Sequence, residues 1–419
     1  MVVVHLLRGL HLHFPAVPNV PVDFPLHRLI TAKPWTRLVE GWPLWPHVYF
    51  SVIGVTYFLH LDVALSIWFF FTLYKLQEVF LAAYSIPGVN TQQQVMGAVV
   101  VLTLVLIWNA RRHLSGAVRA AFAGRGQRND ADEPMSYRAA VLGTFAGFAA
   151  MGLLCLAAGM SLWMTVLFAL LLWALQTVVG WHVTNAGLLL VNVGFAPFEF
   201  FTTVLGSRAV GPRNLVLLGF DRSSIPNWSS ESLMPYVLQN FRLVDMHGLE
   251  ARKLRLPLLM SVSVLVAVAA AYITSLAWIY RQGALHLEPW VFVGVGPWGL
   301  NRAAAAVQSA AGPNRPGLLS AAIGAATMAG LLFLRHRFLW WPLHPLGYAL
   351  GVTWAPFHLW FSVLLGWCAK LLVLRLGGFG PYRRLRPLFL GLILGEYLMT
   401  AIWSFVGLFT RVSYWGLPH

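Results

Sequence analysis

A chain of 419 residues that is 58% apolar and only 10% charged, against roughly 25% charge in an average soluble protein, carries too few charges to stay dissolved as a globule. The same numbers exclude disorder, while 37 Gly without a three-residue period and only two Cys exclude collagen-like and disulfide-built chains. What remains is an all-α, polytopic membrane helix bundle, in which a net charge of +15 belongs to the membrane surface rather than to nucleic acid.

A hydrocarbon core of about 30 Å takes roughly 20 apolar residues per helix. Residues 1–46 are broken by His and Pro and read as an N-terminal extramembrane segment; Met1–Leu7 is too short for a signal peptide. Residues 47–60 are apolar but short, which predicts a half-helix or re-entrant element. Spans follow at 62–84, 92–110, 139–159 and 161–180, completing a first helix group over 47–180. Residues 181–255 form the main extramembrane segment, cytoplasmic or interfacial. Within it, 231–255 places Leu233, Leu238 and Phe241 near helical spacing, the pattern of an amphipathic interfacial helix or of a packed linker helix. The C-terminal group, 256–419, adds spans at 256–280, 317–334, 339–355, 356–374 and 388–410, the third broken by Pro342 and Pro345. The total is about nine crossings, one of them a broken helix, plus the short element.

Basic residues favour the cytoplasmic side. Six Arg place loop 111–138 inside, and 181–255 returns inside with six Arg and Lys253. Arg335 and Arg337 are then inside, and 375–387, with four Arg, is inside too only if 339–355 crosses.

Ionisable groups within the bilayer cost at least ~2.5–3.5 kcal/mol each, so each needs a reason. Lys75 and Glu78 share a helix face at i, i+3 beside Gln77; they form either a polar, ion-coupling pathway or an ion pair that merely makes insertion tolerable. Glu396 lies too deep to snorkel and follows Gly391 and Gly395, a small-xxx-small face for close helix approach. Lys370 sits near a helix end and can snorkel. His344, in the broken helix, and His358 are the candidate titrating imidazoles, or else simply hydrogen-bonded ones. His182 with Asn185 is the one pair that would suit a membrane acyltransferase, and no zinc, P-loop, nucleophile-elbow or paired-Cys motif is present. Asn227-Trp228-Ser229 is a glycosylation sequon by pattern, silent on a cytoplasmic face.

The tract HPLGYALGVTWAPFHLWFSVLLGWCAKLLVLRLGG (344–378), followed by 382–407 with Gly391, Leu392, Ile393, Gly395 and Glu396 in a Gly-Leu-Ile-x-Gly-Glu pattern, resembles a family of uncharacterised bacterial multi-pass proteins described as peptide-transporter-like. It is similar, more distantly, to the last helices of the oligopeptide transporter family, whose upstream helix-breaking motif this chain lacks. Residues 51–77 and 221–245 extend the first resemblance to about three quarters of the chain. Members of that family carry further helices before the equivalent of residue 47, so the chain is expected to be a fragment, a shortened member or one with a misassigned start. The resemblance implies a secondary transporter of peptides or another small polar solute in the bacterial inner membrane, coupled to protons or cations. Glu396, His344, Lys370, His358, Lys75 and Glu78 are the expected binding residues, around a cavity shared by 339–355, 356–374 and 388–410. No enzyme activity, metal, cofactor or nucleic acid is expected; the expected partners are the solute and membrane lipid, with a homo-oligomer left open. A membrane-embedded enzyme acting on lipid or lipid-linked sugar, with His182 or His344 as base, and a non-transporting subunit stand as alternatives.

Overall fold

The computed structural model describes residues 1–40, 44–86, 88–123, 133–187, 191–224, 232–249, 255–287 and 293–417. The sequon, Lys253 and part of loop 111–138 lie outside them. Among the described residues the α-helices are, in order, α1 (Val2–His13), α2 (Phe50–Phe58), α3 (Leu61–Ala83), α4 (Thr91–Phe122), α5 (Tyr137–Ala157), α6 (Leu162–Ala186), α7 (Pro197–Val204) and α8 (Ser207–Val210). They continue with α9 (Pro212–Ser224), α10 (Leu233–Met246), α11 (Leu256–Gln282), α12 (Val295–Gln308), α13 (Arg315–Arg337), α14 (Pro345–Leu350), α15 (Trp354–Gly377) and α16 (Phe379–Thr410). The described residues form no strand, only one bridge between Asp23 and His47.

Eight helices, α3, α4, α5, α6, α11, α13, α15 and α16, are long and apolar enough to cross a membrane. At about 1.5 Å per residue even α5, with 21 residues, is long enough for the hydrocarbon core. The protein is an integral membrane protein. The expected ninth crossing, 339–355, is not a long helix: Pro345 starts a helix of six residues, and Gly351–Thr353 lead directly into α15. The short element at 47–60 is the nine-residue α2.

The chain folds as two compact units: residues 1–98, 186–194 and 320–419 make one, and 99–185 with 195–319 make the other. They do not follow the segments 47–180, 181–255 and 256–419.

The second unit is built on α6, whose Met164, Phe168 and Leu172 repeat every four residues and meet Phe198 and Phe201 of α7 and Leu215 and Leu218 of α9. Gly206, at φ +83° and too close to Gly312 for a side chain, starts α8, a position only glycine takes without strain. Leu238 and Met234 of α10 pack on Gly180 of α6, so this amphipathic helix docks on protein by one face while Leu233, Tyr236 and Leu243 stay exposed. Neither α5 nor α11 buries a residue, and a helix apolar on every face tolerates only lipid as its solvent.

In the first unit α3 is the reference axis. Arg335, at the end of α13, pairs with Asp62 at the start of α3 at 2.7 Å. From there residues 344–351 advance along α3: the His344 N–H donates to Ser66 Oγ, Gly347 packs on the Ser66 backbone, and Gly351 meets the Tyr74 ring. α15 then returns antiparallel, with Trp360 stacked on Phe71, Trp367 against Trp68, and Lys370 Nζ donating to the Leu59 carbonyl just before α3. The broken segment therefore travels from the Asp62 end towards the far end of α3, and Arg335 and Lys370 share one end of the unit.

Candidate functional site

A helix leaves its first N–H and last C=O groups unpaired, and in the membrane no water satisfies them. α2 and α14 are short helices inside the first unit, so each exposes this problem twice. α2 solves it with charges distant in sequence. Glu396, only 1% exposed and central in α16, accepts from Phe50 N–H (3.0 Å to Oε1) and Ser51 N–H (2.7 Å to Oε2). A carboxylate there also opposes the positive end of the helix dipole. At the other end Lys370, 8% exposed, donates to the carbonyl of Leu59, which follows the last residue of α2, and its ammonium lies 5.3 Å from the centre of the Tyr382 ring. Two glycines let α2 sit this deep: a side chain on Gly54 would meet the Phe389 carbonyl at 2.6 Å, and one on Gly366 would meet Thr56 at 2.7 Å. Tyr57 seals the layer, stacked 3.7 Å from Phe389 and donating its hydroxyl to the Tyr382 carbonyl.

The terminal segments complete this cluster. His5 of α1, fully buried, places Nε2 3.3 Å from Glu396 Oε1 and Nδ1 2.6 Å from the Tyr414 hydroxyl. Burial pushes the Tyr414 phenol up from its ordinary value, Arg8 pulls it back and Glu396 adds to the rise. Segment 1–46, expected outside the membrane, thus contributes a helix whose Gly9 lies against the Trp403 ring. The small-residue face on α16 is only half used: Gly395 is covered by Met1, whereas nothing approaches Gly391 within 4 Å.

α14 is stabilised by neutral groups. The His344 Nδ1 accepts from Leu346 N–H at 3.1 Å, doing the work of an N-cap oxygen, and Pro345 occupies the first helical position, where no N–H is needed. All six residues of α14 are buried. Beside it lies a cavity of about 160 Å³, lined by Leu73, Tyr74 and Gln77 of α3, Gln94 of α4, Ile323 and Thr327 of α13, and Tyr348 of α14. Tyr74 stacks on Tyr348 at 5.3 Å and donates its hydroxyl to the Tyr348 carbonyl. α4 and α13 come close here because Gly324 sits against the Gln94 backbone and Gly97 against that of Ala321. Gln94 is 2% exposed, and its carboxamide has no hydrogen-bond partner among the described residues.

The six expected residues therefore do not share one hollow. Glu396 and Lys370 clamp the two ends of α2, and His344 caps α14. Lys75 pairs with Glu78 at 2.7 Å, and Glu78 also accepts from Thr91, one turn from the cavity but not lining it. His358 lies in an aromatic group with Trp354 (4.3 Å) and Phe357 (4.2 Å). Of the alternative pair, His182 is buried and Asn185 turns its amide back onto the Trp181 carbonyl of its own helix. Among the described residues no three His, Cys, Asp or Glu converge as metal ligands. Sequence reasoning missed His5, Tyr414 and Gln94. Only Gln94 carried a usable signal, as one of three consecutive glutamines opening an apolar helix, next to the already suspected Gln77.

A family model described as a family of unknown function (DUF6785) matches residues 1–418, more of the chain than the three quarters expected from motifs. No curated protein and no solved structure matches the chain, so the similarity to oligopeptide transporters gains no support from these comparisons.

Proposed function

The chain belongs to this family of unknown function, and we propose that it is a secondary transporter of a small polar solute in the bacterial inner membrane, coupled to protons or cations. One observation carries the reading: a capped half-helix, α14, lies inside a membrane bundle against a cavity that holds an unpartnered carboxamide. Irregular backbone at membrane depth is tolerated where it is buried in protein or lines a polar cavity, and transporters build solute sites from such discontinuous helices. Leu73 and Tyr74 lie in the middle of α3 and Ile323 and Thr327 in the middle of α13, while Gln94 comes from the first turn of α4. His344, the candidate base of the enzyme alternative, is engaged as a helix cap. By the positive-inside rule the end of the unit marked by Asp62, Arg335 and Arg386 faces the cytoplasm.

In this reading Glu396 is the coupling group. Protonation removes the charge that holds the α2 N-terminus, so proton or cation movement acts on α2 while the solute acts on α14; both half-helices pack in the same unit. Proteoliposomes with an imposed pH or sodium gradient test it. Wild-type protein is expected to accumulate labelled small polar solutes, and E396Q to exchange them without accumulating them. Uphill accumulation by E396Q would remove Glu396 from coupling, and failure of the wild type to move any solute of the panel would end the transport reading.

A further inference from the structure

The cavity beside α14 also carries information about what enters it. The Gln94 carboxamide makes no hydrogen bond to another described residue and opens on the cavity, so a solute seated there meets free donors and an acceptor. Gln77 on the facing helix brings a second carboxamide, which likewise has no partner among the described residues. Each carboxamide offers two donors and an acceptor, the complement of a group that itself has a donor beside an acceptor. The Tyr74 and Tyr348 rings add flat apolar surface.

Charge decides the class. Among the described residues no Asp, Glu, Lys, Arg or His lines the cavity, and the ion pair on α3, Lys75 with Glu78, is satisfied internally at 2.7 Å. An ionic solute would be desolvated there with no counter-charge to meet it, whereas a neutral polar one keeps its hydrogen bonds. The size is bounded too: the recess is half-open, with Leu73 and Ile323 exposed at its rim, and its roughly 160 Å³ accommodates about one ring or a chain of similar bulk.

We propose that this cavity is a binding site for an uncharged solute of single-ring size bearing a carboxamide or an equivalent donor–acceptor pair, recognised by Gln94 and Gln77. The inference deepens the transport reading by naming its solute class, and excludes a charged peptide as the substrate at this position.

Calorimetry on the full chain in detergent, with benzamide, benzoate and benzamidinium at neutral pH, provides the test, because the three have nearly the same shape and differ in charge. Benzamide is expected to bind at least about tenfold more tightly than either ion, the discrimination of a site built on hydrogen bonds to a neutral group. Q94L is expected to weaken benzamide at least about tenfold while keeping the elution profile and melting midpoint of the wild type. Should Q94L fail to fold, Q77A is expected to give the same direction of loss. Equal or tighter binding of benzoate or benzamidinium, or binding of none of the three, overturns the proposal. Counterflow in proteoliposomes separates it from the transport reading. Benzamide binding without movement of any solute leaves the site and removes transport; movement of a charged solute without benzamide binding does the reverse.

Discussion

The two half-helices of the first unit meet the same problem with different chemistry. α2 is held by full charges from α15 and α16, more than 300 residues away along the chain for both Leu59–Lys370 and Ser51–Glu396. α14 is held by neutral groups, one of them its own N-cap imidazole. A buried charge placed on a helix end is strong only while its partner is present, and removing one side leaves the other uncompensated. A neutral cap costs less to lose and tolerates rearrangement. The contrast leaves α2 dependent on two buried charges, one of them the proposed coupling group Glu396, and α14, beside the cavity, on neutral groups alone.

E396A should break that comparison most severely. It strips two backbone N–H groups of their acceptor in a buried site, and is expected to cost about 3–5 kcal/mol, read as a large fall in melting midpoint in detergent. A loss no larger than that of an exposed substitution would mean that α2 does not depend on Glu396. K370M follows, with about 1.5–3 kcal/mol expected for one charge-assisted hydrogen bond and the cation–π contact. An unchanged midpoint would place the ammonium elsewhere.

G347A comes next. Its methyl group would lie 2.5 Å from the Ser66 backbone, so α14 must move off α3 at a cost of about 1–3 kcal/mol, with solute counterflow falling more than stability does. Equal losses of both would erase the distinction between the two half-helices. The smallest effect is reserved for the cap: H344A should cost about 1 kcal/mol, and H344N, whose carbonyl oxygen can replace Nδ1, should recover most of it. If alanine and asparagine behave alike, the imidazole is not acting as a cap.

Much of this architecture is legible in the residues themselves. Runs of about 20 apolar residues gave the eight long helices, and Pro342 with Pro345 marked the break, because a ring nitrogen cannot donate. Glu396 and Lys370 stood out as charges that a bilayer does not accept without partners. Their partners did not stand out, since a backbone N–H at Phe50 or a carbonyl at Leu59 exists at almost every position and leaves no trace in residue type. His5 and Tyr414 meet across 409 positions, a contact that only the tertiary fold creates. The spacing of Gly391 and Gly395 predicts one helix-packing face, but among the described residues only Gly395 is covered, and the close approach on α16 is made instead by Gly54 of α2. The cavity was invisible for a related reason: its polar lining consists of ordinary Gln, Thr and Tyr, whose meaning depends on which atoms lack a partner.

Thiol labelling at Thr327 tests the central claim most directly, in a chain whose Cys155 and Cys368 are replaced by Ser and whose Thr327 is replaced by Cys. A transporter that exposes the cavity alternately should react with a membrane-impermeant reagent added from either side, and a bound solute should slow both reactions. Reaction from one side only, or from neither, would contradict the account.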